Sequence, residues 1–186
     1  FGAGASAYIV SKEESEGEGV IKCFVSGQPD VGDKDWPEGF LTLKYKEGLK
    51  IRPSKNPLAG KFETYKAVQN FLEMQGKEIM KFAPRAMMRA VHAVLDGTGY
   101  SLKDVKGIIP HGANGRIIKN AEKDARKKGF GGEVYTNLEK YGNISTASVG
   151  VADAEARERG IIKPGDLCIG VAFGANLTEG AMLYRA

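Results

Sequence analysis

The sequence predicts an α/β fold: a mixed, mostly parallel five-stranded sheet flanked by helices. Three observations carry that reading. Gly107–Pro110 and Leu167–Phe173 are short runs without charged side chains, the mark of strands buried on both faces. Asn114–Lys128 and the stretch from Ser145 or Thr146 to Arg159 are helical, each stopped by a glycine, Gly129 and Gly160. A last strand, Thr178–Tyr184, follows Gly174 and closes the order as a hairpin.

The elements follow in chain order. Ala5–Val10 is a strand, Lys12–Glu18 an acidic turn and Val20–Val25 a second strand, together a hairpin. Ser26 to about Gly60 is rich in Gly, Pro, Asp and Lys and reads as a long surface excursion, with Leu41–Tyr45 its one strand-like piece. Lys61–Met74 has helical periodicity through Tyr65, Val68, Phe71 and Leu72, and Glu78–Leu95 is a second helix. Pro84 inside that pattern predicts either a kink or a helix starting there. Ser101 with Asp104 resembles a capping box ahead of the Gly107 strand. Val134–Thr136 is a short extended piece, and Lys163-Pro164-Gly165-Asp166 is a turn. Ser145 or Thr146 caps the last helix. Phe1-Gly2-Ala3-Gly4 echoes Phe173-Gly174-Ala175-Asn176, each before a strand, as if the chain held the end of one structural repeat and then a complete second one.

Composition narrows the function class. The chain has 186 residues, 42% hydrophobic and 27% charged, enough for one good core or two modest lobes of a globular protein. Leu167–Ala175 is far shorter than the ~20 apolar residues of a membrane span, and no export leader is visible. Cys23 and Cys168 supply neither a disulfide framework nor metal-ligand spacing, and both read as packing residues, so a reducing cytoplasm is expected. Arg116, Lys119, Lys123, Arg126 and Lys127 recur at helical steps opposite Ile117, Ile118, Ala121 and Ala125. That basic stripe is either a solvated face or a dock for an acidic partner. Nucleic acid is disfavoured, because no aromatic residues interleave with it.

Two segments carry chemistry: His111-Gly112-Ala113-Asn114-Gly115-Arg116-Ile117 and Tyr141-Gly142-Asn143-Ile144-Ser145-Thr146-Ala147-Ser148. Each sets a polar group at the junction into a helix, where α/β sheets bind ligands. His111 follows a buried strand and is either a donor or proton carrier at a site or a residue bonded to a nearby carbonyl. Asn143 is either a second donor or a turn and cap residue. Together they could stabilise one enolate oxygen. His92, on an apolar helix segment, reads as packing.

These segments resemble motifs of the β-ketoacyl-[acyl-carrier-protein] synthase III family. His111–Ile117 is similar to His-Gln-Ala-Asn-x-Arg-Ile, and Tyr141–Ser148 to a motif containing Gly-Asn-Thr-Ser. Ile162–Gly180, Met74–Met87 and Phe1–Val10 resemble three further family segments in the same order. The resemblance spans 74–186 and the opening strand, and fades from about 27 to 60. It implies a thiolase-like layered fold of two similar halves, with residues 1–60 ending the first half and 61–186 forming the second. It further implies a transferase that condenses a Cys-bound acyl group, taken from acyl-CoA, with malonyl on acyl carrier protein, with no permanently bound cofactor.

By that resemblance His111 and Asn143 hold the malonyl thioester oxygen, and the Ala175 N–H stabilises the tetrahedral intermediate. Met74, Gly76 and Asn114 line the phosphopantetheine channel. Lys81, Arg116, Lys119 and Lys123 face the carrier protein. The nucleophilic Cys belongs to the first half, so the chain implies a missing N-terminal half, in the same polypeptide or a separate one, and a homodimer. Gly112, Asn176 and Glu179 stand where the family has Gln, Gly and Trp. Two other readings stay open: a non-decarboxylating acyltransferase of the same fold, and a non-catalytic partner subunit.

Overall fold

A computed structural model describes residues 4–6, 19–26, 41–53, 62–74, 76–174 and 178–186; for 41–53 and 62–74 the backbone alone is considered. Five strands form the main sheet: β1 (Gly19–Ser26), β4 (Gly107–Pro110), β5 (Glu133–Val134), β6 (Leu167–Phe173) and β7 (Glu179–Arg185). β2 (Leu41–Pro53) and β3 (Phe62–Met74) pair separately, and the helices are α1 (Gly76–Leu95), α2 (Gly115–Lys127), α3 (Leu138–Tyr141) and α4 (Ala147–Glu158).

The main sheet has the order β1-β7-β6-β4-β5. It is parallel at β6-β4-β5 and antiparallel at β6-β7-β1. Alternation along each strand sends side chains to two cores. Ile108, Leu167, Ile169, Val171, Ala181 and Leu183 pack with Met87, Val91 and Val94 of α1 and Ile117, Ala121 and Ala125 of α2. Ile109, Cys168 and Tyr184 pack on the opposite face with Ala152 and Ala156 of α4. Gly107–Pro110 is buried throughout because helices cover both sides. On the α4 side Asp153 is buried, accepting from the Tyr184 hydroxyl (2.5 Å) and from Arg157 Nε (3.0 Å).

Several expectations change. Within the expected helix Lys61–Met74, Phe62–Met74 is strand β3 instead, paired antiparallel with β2 from Leu41↔Met74 to Pro53↔Phe62. The helical period rested on four positions, and Thr64, Tyr65, Val68 and Phe71 are β-branched or aromatic residues that suit a strand once a partner is present. That partner is longer than Leu41–Tyr45, so part of the expected excursion is ordered strand. α1 begins at Gly76 and contains Pro84, so the helix does not start there; Pro84 is buried with Ala83, Ala86 and Met87. β1 is a member of the main sheet through β7, and Lys22 Nζ donates to the carbonyls of Ala93 and Asp96 at the α1 C-terminus. Of the expected Ala5–Val10 strand, Ala5 and Ser6 are described and are not in a strand, while residues 7–10 and the hairpin turn lie outside the described residues.

The remaining elements form where the pattern put them. Asp104 accepts from both the N–H (2.8 Å) and the hydroxyl (2.7 Å) of Ser101, and Asp166 closes its turn by accepting from Lys163 N–H. Gly129 and Gly160 stop their helices at φ 98° and 66°. Cys168 is fully buried, whereas Cys23 is exposed on β1, the outermost of the described strands, and is not a packing residue. No helix among the described residues is long and apolar enough to cross a membrane.

Candidate active site

His111 leaves the carboxyl end of β4, and its N–H donates to the Val171 carbonyl of neighbouring β6 (2.8 Å). The imidazole is half-buried, edge-on to Phe173 with ring centroids 5.4 Å apart. Burial lowers its pKa, so the neutral ring predominates at neutral pH. Nδ1 lies 2.6 Å from Oγ of Ser148, in the first turn of α4. The same Oγ accepts from Gly112 N–H (3.2 Å) and donates to the Ser145 carbonyl (2.8 Å).

Asn143 reaches this cluster from the α3–α4 loop. Its Oδ1 accepts from Ser145 N–H at 2.9 Å, an Asx turn. With the oxygen so engaged, the amide presents its Nδ2 donors. Ser145 links the two segments and has φ 56°, the one non-glycine residue in the left-handed region among those described. Gly142 before it has φ 69°. Asn137 Nδ2 and Lys140 Nζ, flanking and within α3, both donate to Glu155 of α4 (each 3.1 Å), tying down the loop that carries Asn143.

The expected cap of α4 is corrected by the same contacts. Thr146 is the N-cap position but makes no side-chain cap bond, and Ser145 is a turn residue. The Asn143 side chain takes the Ser145 N–H first, and Ser148 bonds back to the carbonyl three residues earlier. Ser148 is a site residue that sequence reasoning left without a role, and Ser145, expected as a possible cap, instead links the two segments. The Asn-x-Ser spacing was the available signal for the turn, whereas nothing local pointed Ser148 at His111.

The other expected residues fall in several places. Asn114 caps α2, its Oδ1 accepting from Arg116 N–H (2.9 Å), so that oxygen serves the helix. Gly76 opens α1 with open space where a Cβ would point. Met74 ends β3, its side chain outside the described set, and Ala175 lies outside the described residues. Gly174 N–H donates to the Thr178 carbonyl. Arg116, Lys119 and Lys123 are exposed along α2 and form no ion pair among the described residues, whereas Arg126 pairs with Glu122 and Lys127 with Asp124. Lys81 is exposed and paired with Glu78 at 2.9 Å.

Glu179, where the resembled family has Trp, is buried at the start of β7. Its two oxygens accept from Nε (3.1 Å) and Nη2 (2.5 Å) of Arg89 on α1, so its charge is matched by a forked partner. Neither thiol stands beside His111 in these contacts. Burial pushes Cys168 up to about 12, which makes it a poor nucleophile. His92 is exposed rather than packed, with Lys128 Nζ 2.8 Å from its Nε2. No cluster of three or more His, Cys, Asp or Glu suited to a metal occurs among the described residues.

Residues 95–186 match the family model for the C-terminal part of 3-oxoacyl-[acyl-carrier-protein] synthase III. A β-ketoacyl-[acyl-carrier-protein] synthase III from Caldanaerobacter subterraneus is 38% identical over 185 residues, covering 100% of this chain and 51% of that protein. Crystal structures of the synthase III from Thermus thermophilus and from Aquifex aeolicus superpose with TM-scores of 0.67 and 0.68 at 30% and 26% identity. Each superposition covers 94% of this chain, and 48% and 46% of those chains respectively. The chain thus spans about half the length of the relatives it matches, and the fold is thiolase-like, with the mixed sheet expected. The chain belongs to the β-ketoacyl-[acyl-carrier-protein] synthase III family and corresponds to its C-terminal portion.

Proposed function

We propose that this chain is the acceptor-side portion of a ketosynthase that condenses a Cys-bound acyl group with malonyl on acyl carrier protein, in fatty-acid or related biosynthesis. The observation that carries the reading is the linked pair at the carboxyl edge of the sheet: Asn143 bonds Ser145 directly, and His111 contacts Ser148 Oγ, which donates to the Ser145 carbonyl. In decarboxylation the electrons of the breaking C–CO2 bond move into the thioester carbonyl. Asn143 Nδ2 and His111 Nε2, the latter once it carries a proton, hold the resulting enolate oxygen, and two aimed donors are commonly the largest electrostatic contribution to such a step. The enolate carbon then attacks the acyl-thioester, Ala175 N–H receives the developing oxyanion, and collapse expels the Cys thiolate.

The nucleophile comes from an N-terminal half outside this chain, in the same polypeptide or a separate one. Cys168 is buried with a raised pKa, and Cys23 sits on β1, separated by β7 and β6 from the strand that carries His111, so the chain alone is expected to be inactive. The exposed cations Arg116, Lys119 and Lys123, which form no ion pair among the described residues, support docking of an acidic carrier, with Lys81 at its rim. Gly76, Met74 and Asn114 flank the phosphopantetheine path. A cytoplasmic homodimer completes the proposal.

The test is product mass. The full-length protein, given an acyl-CoA and malonyl-carrier, is expected to release carbon dioxide and form a β-ketoacyl product. An acyl product without carbon dioxide would move the assignment to the non-decarboxylating acyltransferase, and no turnover by the complete protein would leave a partner subunit.

A further inference from the structure

Ser148 belongs to the motif around Asn143, yet the reaction as written gives it no part. Its hydroxyl is buried and has three polar neighbours: His111 Nδ1 at 2.6 Å, Gly112 N–H at 3.2 Å and the Ser145 carbonyl at 2.8 Å. A hydroxyl has one proton and two lone pairs. Gly112 can only donate and the Ser145 carbonyl can only accept. All three contacts are hydrogen bonds in one arrangement alone: Oγ–H donates to Ser145, and Oγ accepts from Gly112 N–H and from Nδ1–H. The other tautomer turns the hydroxyl toward Nδ1 and leaves two oxygen lone pairs facing each other at 2.8 Å.

We infer that Ser148 is a positioning residue that holds His111 as its Nδ1–H tautomer, with the Nε2 lone pair facing the acceptor site. The inference rests on the ketosynthase reading for its catalytic consequence, though not for the tautomer itself. His111 would meet substrate as a proton acceptor at Nε2. One proton taken there from solvent makes Nε2 a donor to the thioester oxygen while Nδ1–H stays on Ser148. The ring then carries positive charge beside the oxygen where negative charge develops. Three features keep the ring in place during that change: the Ser148 contact, the edge-on Phe173 and the backbone bond to Val171.

The test uses the full-length protein with 15N-labelled histidine rings, the His111 signals being assigned by their loss in His111→Gln. In the wild type, above the ring's titration, Nδ1 is expected to be pyrrole-like and Nε2 pyridine-like. Ser148→Ala is expected to move the proton to Nε2, and Ser148→Thr to keep the wild-type pattern. In condensation Ser148→Ala lowers kcat about tenfold to a hundredfold, the usual range for removing a group that orients a catalytic ligand. KM for the malonyl thioester and the rate of acyl-enzyme formation stay near native, and Ser148→Thr rescues kcat. A wild-type Nε2–H ring, or the same tautomer in wild type and Ser148→Ala, overturns the inference. So does native condensation by Ser148→Ala where His111→Ala is inactive. Native condensation by His111→Ala would instead remove the ketosynthase role of His111 and leave the tautomer result standing.

Discussion

Gly132 enters β5 against the strand that delivers His111, and replacing it tests whether that close approach holds the sheet edge. A Cβ on Gly132 would lie 2.3 Å from the Lys106 carbonyl oxygen, 2.7 Å from its carbon and 2.8 Å from the Val105 oxygen. Carbon–oxygen contacts settle near ~3.3 Å, so Gly132→Ala forces the two backbones apart by about 1 Å. The opposing atoms are main chain and cannot swing aside. Two bonds lie directly in the path, Glu133 N–H to Lys106 (2.8 Å) and Tyr135 N–H to Ile108 (3.1 Å). Overpacking costs about 1–3 kcal/mol and each lost backbone bond about 0.5–1.5 kcal/mol, so the variant should lose about 2–6 kcal/mol. Gly131→Ala is the control, because nothing lies within 4 Å of its Cβ direction, and its effect should stay within about 1 kcal/mol. Urea unfolding of both variants in the full-length protein reads the difference. Equal midpoints would refute the close-approach argument.

Three other perturbations follow from the structure. Tyr184→Phe removes the hydroxyl that donates to buried Asp153 and should cost about 1.5–3 kcal/mol by urea unfolding, the range for a bond to a charged group. Burial holds the pKa of His111 below its unfolded value of 6.5, so below that pH the unfolded chain binds the proton more readily. Stability should therefore fall as pH drops from 6.5 toward the folded pKa, and fall less in His111→Gln, as thermal unfolding across pH 7 to 5 would show. Lys119→Glu with Lys123→Glu should raise KM for carrier-bound malonyl about tenfold at low salt and less at high salt. Arg126→Ala, whose charge Glu122 already matches, should change it little.

The second half of the chain was legible because its signals are local. The runs Gly107–Pro110 and Leu167–Phe173 are buried on both faces, and Asn114 and Gly129 bracket α2 in sequence as in space. Residues 62–74 suggest a helix because their pairing partner, 41–53, is not adjacent in the sequence, and four apolar positions satisfy a helical period as well as they fill a strand. Cys23 was misread for a related reason: alternation with Ile21 and Phe24 shows a strand but not which face is covered. At the site, His111 and Asn143 stood out through their glycine-rich junctions. The link between them did not, since it runs through the left-handed Ser145 and the hydroxyl of Ser148, whose nearest chemistry lies 37 residues away.

The central claim is that His111 and Asn143 serve the malonyl half of the reaction and not acyl loading. Measuring both half-reactions in the full-length His111→Ala protein tests it most directly, with acyl-enzyme formation followed by mass and condensation by carbon dioxide release. The acyl-enzyme is expected to form while condensation is lost. Condensation at the native rate, or loss of acyl loading with condensation intact once the acyl group is supplied on the enzyme, would contradict it.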